Sequence, residues 1–253
     1  MDKVAGITED DSGSSGGWLS EFFCGLIDLI YPPSCALCGR VSSDEICARC
    51  LSKLIPLGQQ VCGKCGNPSS PGEPCQYCLA IEYNFDKAVS IFLYEEPLRD
   101  AILDFKYHRQ SRKGKVLTSL LADWFAASPL IAEGFDLIIP IPITPRKRRR
   151  RSYNQSEILA GGIEAISGIP CAPFVLMKKS ETPSQTGFDF MGRAKNVEGS
   201  FAVTDRLVVE GKRVLLVDDI ITTGATVSEC AKALKDAGAR KVVALSLARN
   251  VLQ

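Results

Sequence analysis

Residues 213–226 read "RVLLVDDIITTGAT", with Asp218 and Asp219 side by side between four aliphatic residues and a small-hydroxyl turn. A buried strand has no use for two adjacent negative charges, so the pair implies chemistry at the strand's carboxyl end. Thr222, Thr223, Gly224, Ala225 and Thr226 follow. Gly224 lets backbone N–H groups come close to an oxyanion, threonine hydroxyls can donate to it, and a helix N-terminus adds a favourable dipole. The turn reads as a phosphate cradle. The two carboxylates would repel a phosphate but can accept hydrogen bonds from vicinal hydroxyls, as on a ribose. A sugar with its 5′-phosphate in the turn and its 2′ and 3′ hydroxyls on the acids satisfies every group.

A second constellation lies upstream. Eight of the eleven cysteines form four CxxC pairs: Cys35 and Cys38, Cys47 and Cys50, Cys62 and Cys65, Cys75 and Cys78. A disulfide framework seldom uses such pairs, whereas a CxxC knuckle delivers two thiolates to one tetrahedral ion. Two structural Zn²⁺ ions are expected, with ligands taken first four then last four, a crossed pairing being the alternative. Cys24, Cys171 and Cys230 are isolated and read as small buried hydrophobes.

Arg146, Lys147 and Arg148 to Arg151 form six consecutive basic residues in what reads as a loop. Three roles compete for this run: clamping pyrophosphate, gripping a nucleic-acid backbone without sequence specificity, or plain solvation. Tyr153, Phe188 and Phe190 could stack on bases, but aromatic residues are more often core. His108 is the only histidine, so no catalytic triad or histidine-based metal site can be built, and it reads as a surface side chain.

These groups need a frame. The chain has 253 residues, 45% apolar and 23% charged, with a net charge of +1, enough for one α/β domain and a small accessory module. Near-neutral charge excludes a global affinity for nucleic acid, leaving only a local patch. Residues 1–17 read as a disordered tail, and 18–34 as an amphipathic helix and linker with Trp18, Phe22, Leu26 and Leu29 on one face. That helix carries Glu21 and Asp28 and is too short to span a bilayer, and no signal-peptide pattern precedes it, so no membrane insertion and a cytoplasmic location are expected. Residues 35–80 are the cysteine module, too small to fold without metal. From 81 to 253 strands alternate with helices. "KAVSIFLYE", "FDLIIPIPI", "KRVLLVDD" and "KVVALSLA" read as strands; "PLRDAILDFKY", "GKVLTSLLADWFA", "NQSEILAGGIEAI" and "TVSECAKALKDAG" read as helices. This predicts an α/β fold, a doubly wound, mainly parallel sheet whose ligand binds at the strands' carboxyl ends. Residues 178–200, polar and glycine-containing, form a candidate hood in which Arg193 and Lys195 could close on a leaving group.

"RVLLVDDIITTGAT" resembles the phosphoribosyl-pyrophosphate (PRPP) signature of type I phosphoribosyltransferases. "YPPSCALCG", "ILDFKYHR", "IIPIPI", "RRRRSYNQSEILA" and "PSQTGFDFMGRAKNVEGSF" extend the likeness, over residues 31–249, to the ComF family, which joins that domain to N-terminal zinc ribbons. Ser152-Tyr153 departs from the Gly-Phe usual there. The resemblance implies a type I phosphoribosyltransferase-like domain and a link to DNA uptake in natural transformation. It implies PRPP with Mg²⁺, or another ribose-5-phosphate compound, as ligand, and single-stranded DNA or competence proteins as partners. It assigns ligand binding to Lys106, Arg151, Asn154 and Gln155 beside the signature residues, and catalysis to Asp218, Asp219 and Arg193. Phosphoribosyl transfer to an acceptor is one reading; a nucleic-acid-binding or adaptor protein with a non-catalytic site is the other.

Overall fold

The computed structural model describes residues 32–58, 60–70, 75–107, 112–179 and 199–251. Four parallel strands build the central sheet in the order β1 (Lys87–Leu93), β6 (Lys241–Arg249), β5 (Arg213–Ile221), β2 (Leu137–Pro140). The strands are aliphatic on both faces because both are covered. Leu215, Val217 and Ile138 point to one side, against helices α3 (Leu98–Phe105), α4 (Arg112–Ala127) and α6 (Gln155–Ser167). Val214, Leu216, Leu137 and Ile139 point to the other, where α7 (Arg206–Val209) and α8 (Ala225–Asp236) pack. The doubly wound sheet expected from the alternation is therefore present.

The cysteine module is two copies of one device. Cys35 and Cys62 each open a tight knuckle that ends in a glycine of positive φ, Gly39 at 73° and Gly66 at 71°. Cys47 and Cys75 then cap the short helices α1 (Ala48–Leu51) and α2 (Gln76–Ala80). The first copy joins the α3/α4/α6 core through Leu37 and Leu54, and the second joins the α8 core through Tyr77 and Ile81. The two ribbons thus sit on opposite faces of the sheet. Residues 55–57 cross between them along β1, with Leu57 N–H donating to Ile91 O at 2.8 Å and Leu93 N–H to Ile55 O at 2.9 Å. This crossing caps an edge strand whose unpaired N–H and C=O groups would otherwise be free to recruit another chain. At the opposite edge, Ile138 is bonded to Pro170 and Ala172 in the same way.

Two local expectations need correction. The basic run is not a loop but the helix α5 (Pro145–Arg151), with Pro145 at its first turn and Thr144 as N-cap accepting from Lys147 N–H at 3.3 Å. Six consecutive basic residues hid a helix because arginine and lysine are good helix formers with no apolar periodicity to reveal it. Strand β5 also runs on past the aspartates to Ile221, held by β6, whereas β2 has already ended at Pro140. Asp218 and Asp219 lie in this overhang.

Among the described residues no helix is long and apolar enough to cross a membrane. The expected helix at 18–31 and the tail at 1–17 lie outside the described residues, as do His108, Cys24, Phe188 and Phe190.

Candidate functional site

The overhang of β5 gathers groups from four elements. Asp218 Oδ1 accepts from Ser156 Oγ, in the first turn of α6, at 2.9 Å, and from the N–H of Asp219 at 2.9 Å. Asp219 Oδ2 pairs with Lys106 Nζ at 3.2 Å, the lysine being the residue that ends α3. Burial and the neighbouring charge of Asp219 push the Asp218 carboxyl up to about 7, against the opposing pull of Ser156, the Asp219 N–H and Lys106. Two adjacent acids thus sit in unlike environments, one held by a hydroxyl and one by a cation.

The turn that follows is open. Gly224 caps α8 at φ 80°, a conformation that costs any residue with a Cβ. The N–H groups of Thr222, Thr223 and Gly224 make no backbone hydrogen bond among the described residues. They precede the N-terminus of a helix of 12 residues and are free to bind an anion. Thr223 itself is buried and turned inward: its carbonyl accepts from Tyr83 Oη at 2.8 Å and its Oγ1 from Ala225 N–H at 3.3 Å. Thr222 and Thr226 are partly exposed, so theirs are the hydroxyls that face outward.

Helix α5 divides the basic run by helical spacing. Arg148 turns inward to Glu157, at 2.5 and 3.0 Å, and Arg151, one turn on, donates to Gln155 Oε1 at 3.3 Å and lies over the Tyr107 ring. Arg149 and Arg150 are exposed and have no ion pair among the described residues. Gln155 Nε2 and Arg151 Nε are both buried and have no hydrogen-bond partner among the described residues. Asn154 caps α6 and spends both ends of its amide inside the protein, on Ile141 O at 2.9 Å and Ser156 N–H at 3.2 Å. It positions Ser156. Tyr153 is core, its hydroxyl donating to Phe105 O, which removes it as a stacking platform.

Each cysteine quartet is assembled in sequential order: Cys35, Cys38, Cys47, Cys50 and Cys62, Cys65, Cys75, Cys78, with the sulfurs of each set within 4.8 Å of one another. Tetrahedral Zn–S bonds of about 2.3 Å require S···S separations of about 3.8 Å. The quartets offer 3.9 Å for Cys38–Cys47, 3.7 Å for Cys62–Cys78 and 3.5 Å for Cys65–Cys75, so the donor sets fit zinc. The sequential pairing is the one realised.

Two family models match the chain. A model described as a double zinc ribbon domain matches residues 26–79, and one described as a phosphoribosyl transferase domain matches residues 164–250. "Competence protein F" of Haemophilus influenzae is 30% identical over 214 residues, spanning 83% of this chain and 93% of that protein. The chain belongs to the ComF family. "DNA utilization protein YhgH" of Salmonella typhimurium is 29% identical over 229 residues, spanning 88% of this chain and 100% of that protein. Of solved structures, the glutamine PRPP amidotransferase of B. subtilis, complexed with ADP and GMP, is 28% identical, covering 52% of this chain and 25% of that one at a TM-score of 0.35.

Within this ComF family member, the structure brings together Lys106, Asp218, Asp219 and the 222–226 turn, and sets Arg151 and Gln155 beside Ser156. Arg193 and the hood's interior lie outside the described residues. The hood's ends are described: β3 (Leu176–Lys178) and β4 (Phe201–Val203) pair antiparallel, and Gly199 N–H donates to Glu229 of α8 at 3.0 Å. Sequence reasoning missed Ser156 and Tyr83. Ser156 directly follows Asn154-Gln155 and was within reach of that signal; Tyr83, 140 residues from its partner Thr223, left none.

Proposed function

We propose that the chain binds PRPP and transfers its phosphoribosyl group to an acceptor. One observation carries this reading: the carboxylate pair, held by Ser156 and Lys106, shares a strand end with a turn whose N–H groups are open. In this reading Asp218 and Asp219 take the ribose hydroxyls, and Thr222, Gly224 and Thr226 take the 5′-phosphate. Lys106, Arg151 and Gln155 face the pyrophosphate, with which Mg²⁺ enters as part of the substrate. The bond from C1 to the pyrophosphate oxygen breaks with both electrons leaving on oxygen, and the acceptor's lone pair forms the new bond to C1. Charge separates in that step, so fixed donors on the leaving group and carboxylates near C1 are what the protein must supply. No nucleophilic side chain is needed. Arg193 belongs to the leaving-group side on the strength of the family resemblance. Residues 35–80 form the metal module and 81–253 the ligand-binding domain. Zinc-bound thiolates suit a reducing compartment, which supports the cytoplasm.

A second reading, a nucleic-acid-binding protein with a non-catalytic sugar site, is favoured by Arg149 and Arg150, exposed and without an ion pair among the described residues, and by relatives named for competence and DNA utilization. Two variants separate them. Asp218→Asn/Asp219→Asn should abolish PRPP consumption and leave single-stranded DNA binding intact. Arg149→Ala/Arg150→Ala should leave PRPP consumption intact. If PRPP turnover survives loss of both acids, the transferase reading is wrong.

A further inference from the structure

Arg249 is the last residue of β6 and only 1% exposed. Arginine keeps its charge in proteins, and a buried charge needs an anion. Among the described residues no carboxylate pairs with Arg249. Its Nε donates to Asn67 Oδ1 at 2.5 Å, while its Nη1 is buried without a partner, as is Nδ2 of Asn67. Asn67 follows Cys65-Gly66, and its carbonyl closes the knuckle by accepting from Cys62 N–H at 2.7 Å. Two orphaned N–H donors therefore lie against the second quartet. A zinc ion bound by four thiolates carries net negative charge, and its sulfurs accept hydrogen bonds. The first quartet is different. Its Cys38 is exposed, and Arg40, Arg49 and Lys53 line a cleft of about 430 Å³ beside it.

The second quartet also reaches the turn. Cys75 caps α2 and Cys78 lies within it; five residues further on, Tyr83 is buried and donates to Thr223 O at 2.8 Å. Its ring stacks on Phe85 at 4.8 Å, and its Cε1 lies 3.0 Å from where a Cβ on Gly224 would sit. Asn84 then gives both its N–H and its amide to Ser228 Oγ, each at 3.0 Å, in the first turns of α8. The segment leaving the metal cluster grips the turn on both sides.

The geometry points to Arg249 as the buried counter-cation of the second zinc centre, and to Tyr83 as the strut through which that centre holds the 222–226 turn. The first half stands on the quartet and the orphaned donors alone. The second half rests on the reading of the turn as a phosphate cradle. Zinc in the second ribbon is then a condition of ligand binding.

The test uses the full-length, zinc-loaded protein. Arg249→Met should release one of its two zinc ions at a chelator concentration about 10–100-fold lower than wild type, the other being unchanged. Cobalt substitution gives a second readout. Arg249→Lys keeps the charge but loses the planar fork, so it should hold both ions and shift the thiolate-to-cobalt absorption of one site. Should Arg249→Met not fold, this variant decides. Identical metal release and identical cobalt spectra in wild type and variants would overturn the assignment. For the strut, Tyr83→Phe should retain both zinc ions yet bind ribose 5-phosphate about 10-fold more weakly. Wild-type affinity in Tyr83→Phe overturns the strut. Absence of binding by the wild-type protein overturns the strut together with the phosphate reading, and leaves metal release to decide Arg249.

Discussion

The hydroxyl of Ser156 donates to Oδ1 of Asp218 at 2.9 Å, tying the first turn of α6 to the overhang of β5. Asp218 needs this bond because its neighbour Asp219 is also an acid and its own carboxyl is desolvated. The folded carboxyl lies near 7, above the usual 3.8. The proton it holds therefore stabilises the fold fully below about pH 4, and that contribution is lost as pH rises through about 7. Asp218→Asn keeps an acceptor for Ser156 and removes the titration. It should raise Tm at pH 8 on the order of 5 °C and leave it unchanged or lower at pH 4. Thermal unfolding at the two pH values checks this; an equal shift at both would contradict it.

Lys106 and Asp219 form a partly buried ion pair at 3.2 Å. Removing one partner leaves a charge without its counter-ion and two acids in mutual repulsion. Lys106→Met should cost about 1–3 kcal/mol at pH 8, and Lys106→Met/Asp219→Asn should cost less than the sum of its parts by about 1–2 kcal/mol. Denaturant unfolding of the four proteins in the cycle measures the coupling. Strict additivity would mean the pair contributes nothing.

Gly224 combines φ 80° with a Cβ position 3.0 Å from the Tyr83 ring. Gly224→Ala should destabilise the protein by about 2 kcal/mol and reduce ribose 5-phosphate affinity by more than Tyr83→Phe does. The comparison separates backbone strain from loss of the strut. Near-native affinity in Gly224→Ala would show that the turn does not hold the phosphate.

Ser152 ends α5 at φ 63°, the one described non-glycine residue with positive φ. The glycine that the resemblance implies here would fit, since only glycine adopts that conformation without cost. Ser152→Gly should stabilise the protein by about 0.5–1 kcal/mol, a rise in Tm of about 2 °C. A fall in Tm would mean that the serine side chain makes up for the strain.

The fold was legible in the sequence because both of its codes are local. Continuous aliphatic runs such as 214–217 mark strands buried on both faces, and CxxC spacing marks metal knuckles. The site was legible where its residues are contiguous, at 218–226. Its long-range parts were not. Ser156 meets Asp218 across 62 residues and Tyr83 meets Thr223 across 140, and neither serine nor tyrosine carries a spacing that announces a distant partner. Arg249 lies just past the strand read at "KVVALSLA", yet it is buried against the second ribbon. Helix α5 was hidden for a different reason: a helix without an apolar stripe has no period to read.

If the Asp218–Asp219 pair and the 222–226 turn form one ribose-phosphate site, the protein must bind PRPP through both. Calorimetric titration of the zinc-loaded protein with PRPP, with and without Mg²⁺, tests it most directly, with Asp218→Asn/Asp219→Asn as control. The expected result is micromolar, Mg²⁺-dependent binding that the double variant loses. Absence of binding by the wild-type protein, or equal binding by the variant, would contradict it.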